Sequence, residues 1–159
     1  MKPVPAICMR FQKRLVVSCQ APEGDIFRDP ESMARFALAA VVGGAAAIRA
    51  NGPEDIRAIR KAVQVPIIGT QKTRQADGRV LITPSVQAAR ELVEAGADVI
   101  ALDCTARGQR YCALDRLGQI RSELGVPVMA DIATTEEAVA AAAAGADIVA
   151  TTLRGYTPE

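Results

Sequence analysis

Short, continuous apolar runs alternate with helix-length patterns along this chain, and that alternation restricts the fold more than any other feature. The runs are Leu15–Ser18, Ala46–Arg49, Pro66–Gly69, Val99–Asp103, Val126–Asp131 and Ile148–Thr151. Each is too short for a helix and lacks polar alternation, which is the pattern of strands buried on both faces of a parallel sheet. Patterns at Pro30–Val42, Pro53–Val63, Ser85–Ala95, Ala113–Leu124 and Thr135–Ala144 predict the helices between them. Pro30 and Pro53 sit at first-turn positions with acids behind them, complementing the helix dipole. Thr135 opens the last helix, followed by Glu136 and Glu137. Gly96 and Gly145 stand where a left-handed residue ends a helix. One further extended piece, Val80–Thr83, follows a polar loop over Thr73–Arg79.

Two phrases recur. Val65-Pro66-Ile67-Ile68 returns as Val126-Pro127-Val128-Met129, 61 residues later. Gly43-Gly44-Ala45 returns as Gly96-Ala97-Asp98 and as Gly145-Ala146-Asp147. A repeat of about two βα units points to an α/β fold of the (β/α)8 TIM-barrel type, in which alternate strands feed alternate core layers. The rival is a doubly wound open sheet, but neither G-x-G-x-x-G nor G-x-x-x-x-G-K-[ST] occurs. Six of the eight βα units are present in 159 residues, whereas a barrel usually takes about 250. The expected organisation is an N-terminal extension over 1–14 and a partial barrel over 15–159 that stops just after strand six. Such a fragment would leave the flanks of its first and sixth strands open to pairing.

Composition removes whole classes of function. The chain has no histidine, so Ser-His-Asp and Cys-His catalysis and every His-ligated metal site are excluded within it. A net charge of +1 and five aromatic residues argue against a nucleic-acid surface. Cys8, Cys19, Cys104 and Cys112 form no C-x-x-C pair, as expected of reduced thiols rather than a disulfide frame or metal site. Neither a signal peptide nor a span of roughly 20 apolar residues is seen, so a soluble, cytoplasmic protein without a membrane partner is expected.

Barrel enzymes place reacting groups at the C-terminal ends of their strands. Those ends carry Gln20, Arg49 with Asn51, Lys72, Asp103 with Thr105, Asp131, and Thr151-Thr152 with Arg154 and Tyr156. Any one of these could be the ordinary polar start of a loop; together they would line a mouth. Lys72, just past a buried strand, could lose enough solvation to act as a base near neutral pH, or could be a solvated loop lysine. Arg49 ends a strongly apolar strand and needs an anionic partner, either a substrate phosphate or Asp131. Cys19 and Cys104, with no histidine to activate them, read as small core residues.

Seven blocks, in order, carry a family resemblance. They are Ser18-Cys19-Gln20-Ala21, Ala47-Ile48-Arg49-Ala50-Asn51, Pro66-Ile67-Ile68-Gly69-Thr70-Gln71-Lys72, Ile82-Thr83-Pro84, Ile100-Ala101-Leu102-Asp103-Cys104-Thr105, Met129-Ala130-Asp131-Ile132-Ala133-Thr134 and Thr151-Thr152-Leu153-Arg154-Gly155-Tyr156-Thr157. Over about Leu15 to Glu159 the chain resembles bacterial N-acetylmannosamine-6-phosphate 2-epimerases. The resemblance implies a cofactor-free isomerase of amino-sugar and sialic acid breakdown. It would interconvert N-acetylmannosamine 6-phosphate and N-acetylglucosamine 6-phosphate by removing and returning the C2 proton of the open-chain sugar. By the same matching Lys72 is the catalytic base, and Gln20, Arg49, Asp131 and Tyr156 bind substrate. The partner implied is a small amino-sugar phosphate, with a homodimer as the family's usual assembly.

The chain departs from the family pattern in two places. The family's second catalytic group is a glutamate in an Ala-Glu-Gly motif on strand seven, and no such motif occurs in these residues. Phosphate sites in such barrels use the loops after strands seven and eight, which the six units do not include. Two alternatives therefore stand beside the epimerase. One is another sugar-phosphate barrel enzyme, with Schiff-base chemistry at Lys72; the other is a non-catalytic partial barrel that binds or assembles.

Overall fold

The computed structural model describes residues 3–76 and 78–157. The elements run α1 (Ala6–Met9), β1 (Val16–Cys19), α2 (Pro30–Val42), β2 (Ala47–Asn51), α3 (Pro53–Ala62), β3 (Ile67–Thr70), β4 (Lys72–Arg74), β5 (Val80–Ile82), α4 (Val86–Ala95), β6 (Val99–Asp103), α5 (Ala106–Gln109), α6 (Ala113–Leu124), β7 (Val128–Asp131), α7 (Thr135–Ala143) and β8 (Ile148–Ala150). All six predicted strands and all five predicted helices form, with ends moved by two residues or fewer. The ends of the predicted extension and partial barrel, at 1–2 and 158–159, lie outside the described residues, as does Asp77 within the predicted loop.

One parallel sheet holds the strands in the order β1-β2-β3-β6-β7-β8. Each strand lies beside the one before it, with only the antiparallel β4–β5 hairpin set apart. A doubly wound sheet would reverse direction at a switch point; this order never reverses, as in a barrel wall. The predicted polar loop over Thr73–Arg79 is in part this hairpin, with Lys72 opposite Ile82 and Arg74 opposite Val80. Sequence could not reveal β4, because Lys-Thr-Arg shows no apolar pattern and pairs only through its backbone.

Alternate residues of each strand serve two different cores. Ile48, Ile67, Ile100 and Leu102 point outward against Ile56, Ile59, Leu92, Leu117 and Ile120 from the helices. Ala47, Ile68, Val99 and Met129 point inward, where Cys8 and Phe11 close the barrel floor. The residues before β1 are thus not a bare extension: α1 and the turn after it plug the barrel from below. Each fully buried Ile or Leu contributes about 1.5–3 kcal/mol of transfer free energy, so the two-sided burial explains why the strands read as unbroken apolar runs.

The recurring phrases have a shared mechanical role. In Gly96-Ala97-Asp98, the Asp98 carboxylate accepts the Ile67 N–H at 2.9 Å and Arg60 Nη2 at 2.5 Å. In Gly145-Ala146-Asp147, Asp147 accepts the Val128 N–H at 3.0 Å and pairs with Arg121 at 3.3 Å. Each aspartate therefore ties the start of its own strand to the start of the preceding one. Gly43-Gly44-Ala45 has no aspartate, so there only the backbone bond common to all three, Ala46 N–H to the Leu15 carbonyl at 2.8 Å, joins the strand starts.

The last helix is capped one residue earlier than expected. Thr134, not Thr135, accepts the Glu137 N–H, while Glu137 reaches back to the Thr134 N–H, forming a capping box. Thr135 lies inside the first turn because Glu137 must stand three residues after the cap for this exchange.

Candidate active site at the strand exits

The inward-facing positions change character along each strand. Near the floor they are small or apolar; at the exits they become Ser18, Arg49, Asn51, Thr70, Asp103 and Asp131. The change follows directly from strand periodicity, since residues two apart share a face.

Arg49 and Asp131 meet across the barrel. Arg49 donates to both carboxylate oxygens, at 2.9 and 2.5 Å, and Thr152 donates to Asp131 Oδ1 at 2.6 Å. The Asp131 side chain is fully buried and that of Arg49 is 11% exposed. Of the two partners weighed for Arg49, the carboxylate is the one in place. A bidentate pair of this kind fixes the guanidinium plane as well as its position. Asp103, opposite Asp131 in register, carries a second pair: Arg107 reaches Asp103 Oδ2 at 2.6 Å and Thr105 donates to Oδ1 at 2.6 Å. Gly108 lets that turn close, because a Cβ there would lie 2.1 Å from the Asp103 carbonyl oxygen.

Lys72 begins β4 at the rim. Much of the residue faces solvent, yet the protein around its ammonium group lowers its pKa below the ordinary 10.5. Desolvation is the main cause, the positive charge of Arg49 adds to it, and Asp131 opposes it. Among the described residues no carboxylate pairs directly with Lys72. Its backbone N–H is held by Asn51 Oδ1 at 2.9 Å.

Gln20 leaves β1 with its Nε2 on Ser18 Oγ at 2.9 Å and its Oε1 buried without a partner among the described residues. Gln20 and Ser18 edge a cleft of about 200 Å³ that Cys19, Asp25, Phe27 and Phe36 also line. Tyr156 sits in the turn after β8 and is 79% exposed. Among the described residues no group of histidine, cysteine, aspartate and glutamate side chains could hold a metal ion. Cys19 and Cys104 are core residues, 4% and 0% exposed, and burial pushes the Cys104 thiol up to about 12.

Two contributors escaped the reading of the sequence, the Arg107 clamp on Asp103 and the bridging role of Thr83, while Thr152, already placed at a strand end, proves to donate to Asp131. Arg107 follows a strand-end Asp-x-Thr and could have been suspected from its spacing of four. Thr83 could not. It adopts a left-handed φ of +52°, whereas a β-branched residue before proline favours extended backbone.

Comparisons with known proteins bear on the fold and the family. The family model described as "Putative N-acetylmannosamine-6-phosphate epimerase" matches residues 33–159. Relatives carrying the corresponding 2-epimerase description include one from Synechococcus elongatus, 48% identical over 153 residues, covering 93% of this chain and 65% of the relative. Another, from Thermosynechococcus vestitus, is 52% identical over 143 residues, covering 90% of this chain and 63% of the relative. The chain thus spans about 65% of the length of these relatives. The structure of the N-acetylmannosamine-6-phosphate 2-epimerase from Clostridium perfringens superposes with a TM-score of 0.87 at 37% identity, over 99% of this chain and 69% of that one. With the family match running over residues 33–159 and the structural match over 99% of the chain, this chain belongs to the N-acetylmannosamine-6-phosphate epimerase family.

Proposed function

We propose that these residues carry the proton-transfer side of a 2-epimerase site that interconverts N-acetylmannosamine 6-phosphate and N-acetylglucosamine 6-phosphate. The observation that carries the reading is Lys72, an amine of lowered pKa at the rim and in the field of the Arg49–Asp131 pair. In the open-chain sugar, C2–H lies next to the C1 aldehyde. Neutral Lys72 takes the proton from C2, the C–H electron pair becomes the C1–C2 double bond, and the aldehyde oxygen becomes an enolate. Arg49, held flat by Asp131, offers positive charge to that oxygen. The Gln20 amide can accept from a sugar hydroxyl or the acetamido N–H, and Tyr156 serves at the outer edge of the mouth. Solvent water delivers a proton to the opposite face of C2 as the enolate returns to the aldehyde, and the protonated Lys72 gives its proton back to solvent, which completes epimerisation. No cofactor enters the scheme, because the aldehyde itself stabilises the carbanion.

The Ala-Glu-Gly motif that supplies a second proton-transfer group in the family does not occur in these 159 residues. Lys72 is therefore the single base assigned here. We also propose a homodimer as the assembly and the cytoplasm as the compartment. Among the described residues no helix is long and apolar enough to cross a membrane.

The test is hydrogen exchange at C2. The chain and its Lys72→Ala variant are incubated with N-acetylmannosamine 6-phosphate in D2O and followed by proton NMR. Deuterium at C2 in the parent chain and none in the variant is the expected result, with a rate that rises with pH through a value below 10.5. Exchange that survives in Lys72→Ala removes Lys72 from the mechanism. No exchange in the parent chain removes the activity from these residues. Borohydride coupling of the sugar to Lys72 would replace proton transfer by Schiff-base chemistry. Light scattering of the chain reads the assembly, and a monomer mass at all concentrations counts against the homodimer.

A further inference from the structure

The backbone that presents Lys72 leaves the barrel sheet just before it. Pairing between β2 and β3 ends at Asn51 and Thr70, and the chain then turns out into the β4–β5 hairpin. Gln71 and Lys72 are the two residues of that exit, and their N–H groups have no strand ladder to join. Two side chains take the ladder's place. Asn51 Oδ1 accepts the Lys72 N–H at 2.9 Å and the Thr70 hydroxyl at 3.3 Å. Thr83 Oγ1 accepts the Gln71 N–H at 3.2 Å and donates to the Ala101 carbonyl of β6 at 2.7 Å, while the Thr83 N–H bonds the Gln71 carbonyl at 2.8 Å. Thr83 is fully buried.

The conformation of Thr83 is informative by itself. A threonine at φ +52° is strained, and such strain persists only where surrounding structure over-determines it. Here the strain turns the hydroxyl inward, so that one oxygen bridges the hairpin to the centre of the barrel wall. Asn51 approaches from the other side, from the strand that also carries Arg49 two residues earlier on the same inward face.

We propose that Asn51 and Thr83 are positioning residues for Lys72, fixing the backbone from which its amine faces the Arg49–Asp131 pair. The inference rests on the assignment of Lys72 as the base, and it deepens that assignment. Neither side chain touches the reacting carbon; each acts through the backbone of Gln71 and Lys72. Loss of either would let the exit swing, carrying the amine away from Arg49 and out toward water.

The readout is the titration of Lys72 itself, which needs no turnover. The chain has four lysines, Lys2, Lys13, Lys61 and Lys72, so their Cε resonances in carbon-13 NMR are few, and a Lys72→Arg variant identifies the fourth. Among the described residues Arg49 and Asp131 are the charged groups that act on Lys72, and both stay in place in every variant used. In Asn51→Ala and Thr83→Ala the Lys72 midpoint is expected to rise by roughly 0.5–1 pH unit as solvation returns. C2 proton exchange, where the parent chain supports it, is expected to fall by up to about a hundredfold, the order of loss from a shift near 1 Å. Thr83→Ser, which keeps the bridging oxygen, restores both. A Lys72 midpoint unchanged in both alanine variants, with only the melting temperature lowered, overturns the proposal and leaves Asn51 and Thr83 as structural residues. A parent chain without exchange would count against the epimerase reading alone, since the Lys72 midpoint still decides the positioning.

Discussion

Replacing Asp131 by alanine isolates what the Arg49–Asp131 pair contributes. Both side chains are out of water, the carboxylate fully and the guanidinium at 11% exposure, so solvent screening does not discount the interaction as it would at the surface. Removing the carboxylate strands a buried guanidinium, which costs about 3–5 kcal/mol. Thr152 also loses its acceptor, but that residue is exposed, so water replaces the bond cheaply. Against a typical total of about 5–15 kcal/mol, the loss is a large fraction of the stability. At an m-value of about 2 kcal/mol per molar it lowers the urea midpoint by about 1.5–2.5 M. The corresponding fall in melting temperature is about 6–20 °C for a chain of this size. The double variant Arg49→Met/Asp131→Leu removes both charges and fills the space with apolar atoms, so it is expected to lie close to the parent or above it. Urea titration of the parent, Arg49→Met, Asp131→Leu and the double gives the coupling directly. An Asp131→Ala cost below about 1 kcal/mol, the size of a surface pair, would refute the reasoning, as would a double variant no better than the single.

Glycine positions offer a pair of opposite expectations. A Cβ at Gly69 would lie 2.8 Å from the Ala97 Cβ and 3.1 Å from Ile56 Cδ1, so Gly69→Ala should cost about 1–3 kcal/mol in urea unfolding; Gly118, exposed within α6 with nothing within 4 Å of a Cβ, should gain about 0.5–1 kcal/mol on substitution by alanine. Thiol reactivity should follow burial: at pH 8 a disulfide reagent labels exposed Cys112 quickly and Cys8, Cys19 and Cys104 only on unfolding, and four fast thiols in the native chain would contradict the packing. Because the Cys104 pKa is raised from 9.0 to about 12 in the folded state, its contribution is intact below pH 9 and is lost as pH rises from there through 12. Cys104→Ala should flatten that part of the stability curve, and an unchanged slope would count against the assignment.

Much of the fold was legible because its signals are local. Pro30 and Pro53 mark helix starts by their own fixed φ, Gly96 and Gly145 end helices by adopting left-handed backbone, and two-faced burial writes each strand as an apolar run. The exits of the strands could be listed in order for the same reason, and that list already held Arg49, Lys72 and Asp131. The cap of the last helix was read one residue late, and as a simple cap, because Thr134 and Thr135 both look like caps and only the reach of Glu137 separates them. The β4–β5 hairpin was missed because Lys72–Arg74 buries no apolar face, so nothing in its side chains reports the pairing.

The sequence by itself therefore determined the strands, the helices, their order and which polar residues stand at the strand exits, since these signals act over a few positions. Only the tertiary structure decided which of those residues meet. Arg49 and Asp131 stand 82 residues apart, and their contact depends on strand register and on the curl of the sheet, which no local pattern encodes. The strained turn at Thr83 belongs to the same class. Its φ is unfavourable to the residue alone, and three hydrogen bonds to Gln71 and Ala101 make it favourable in the assembled barrel.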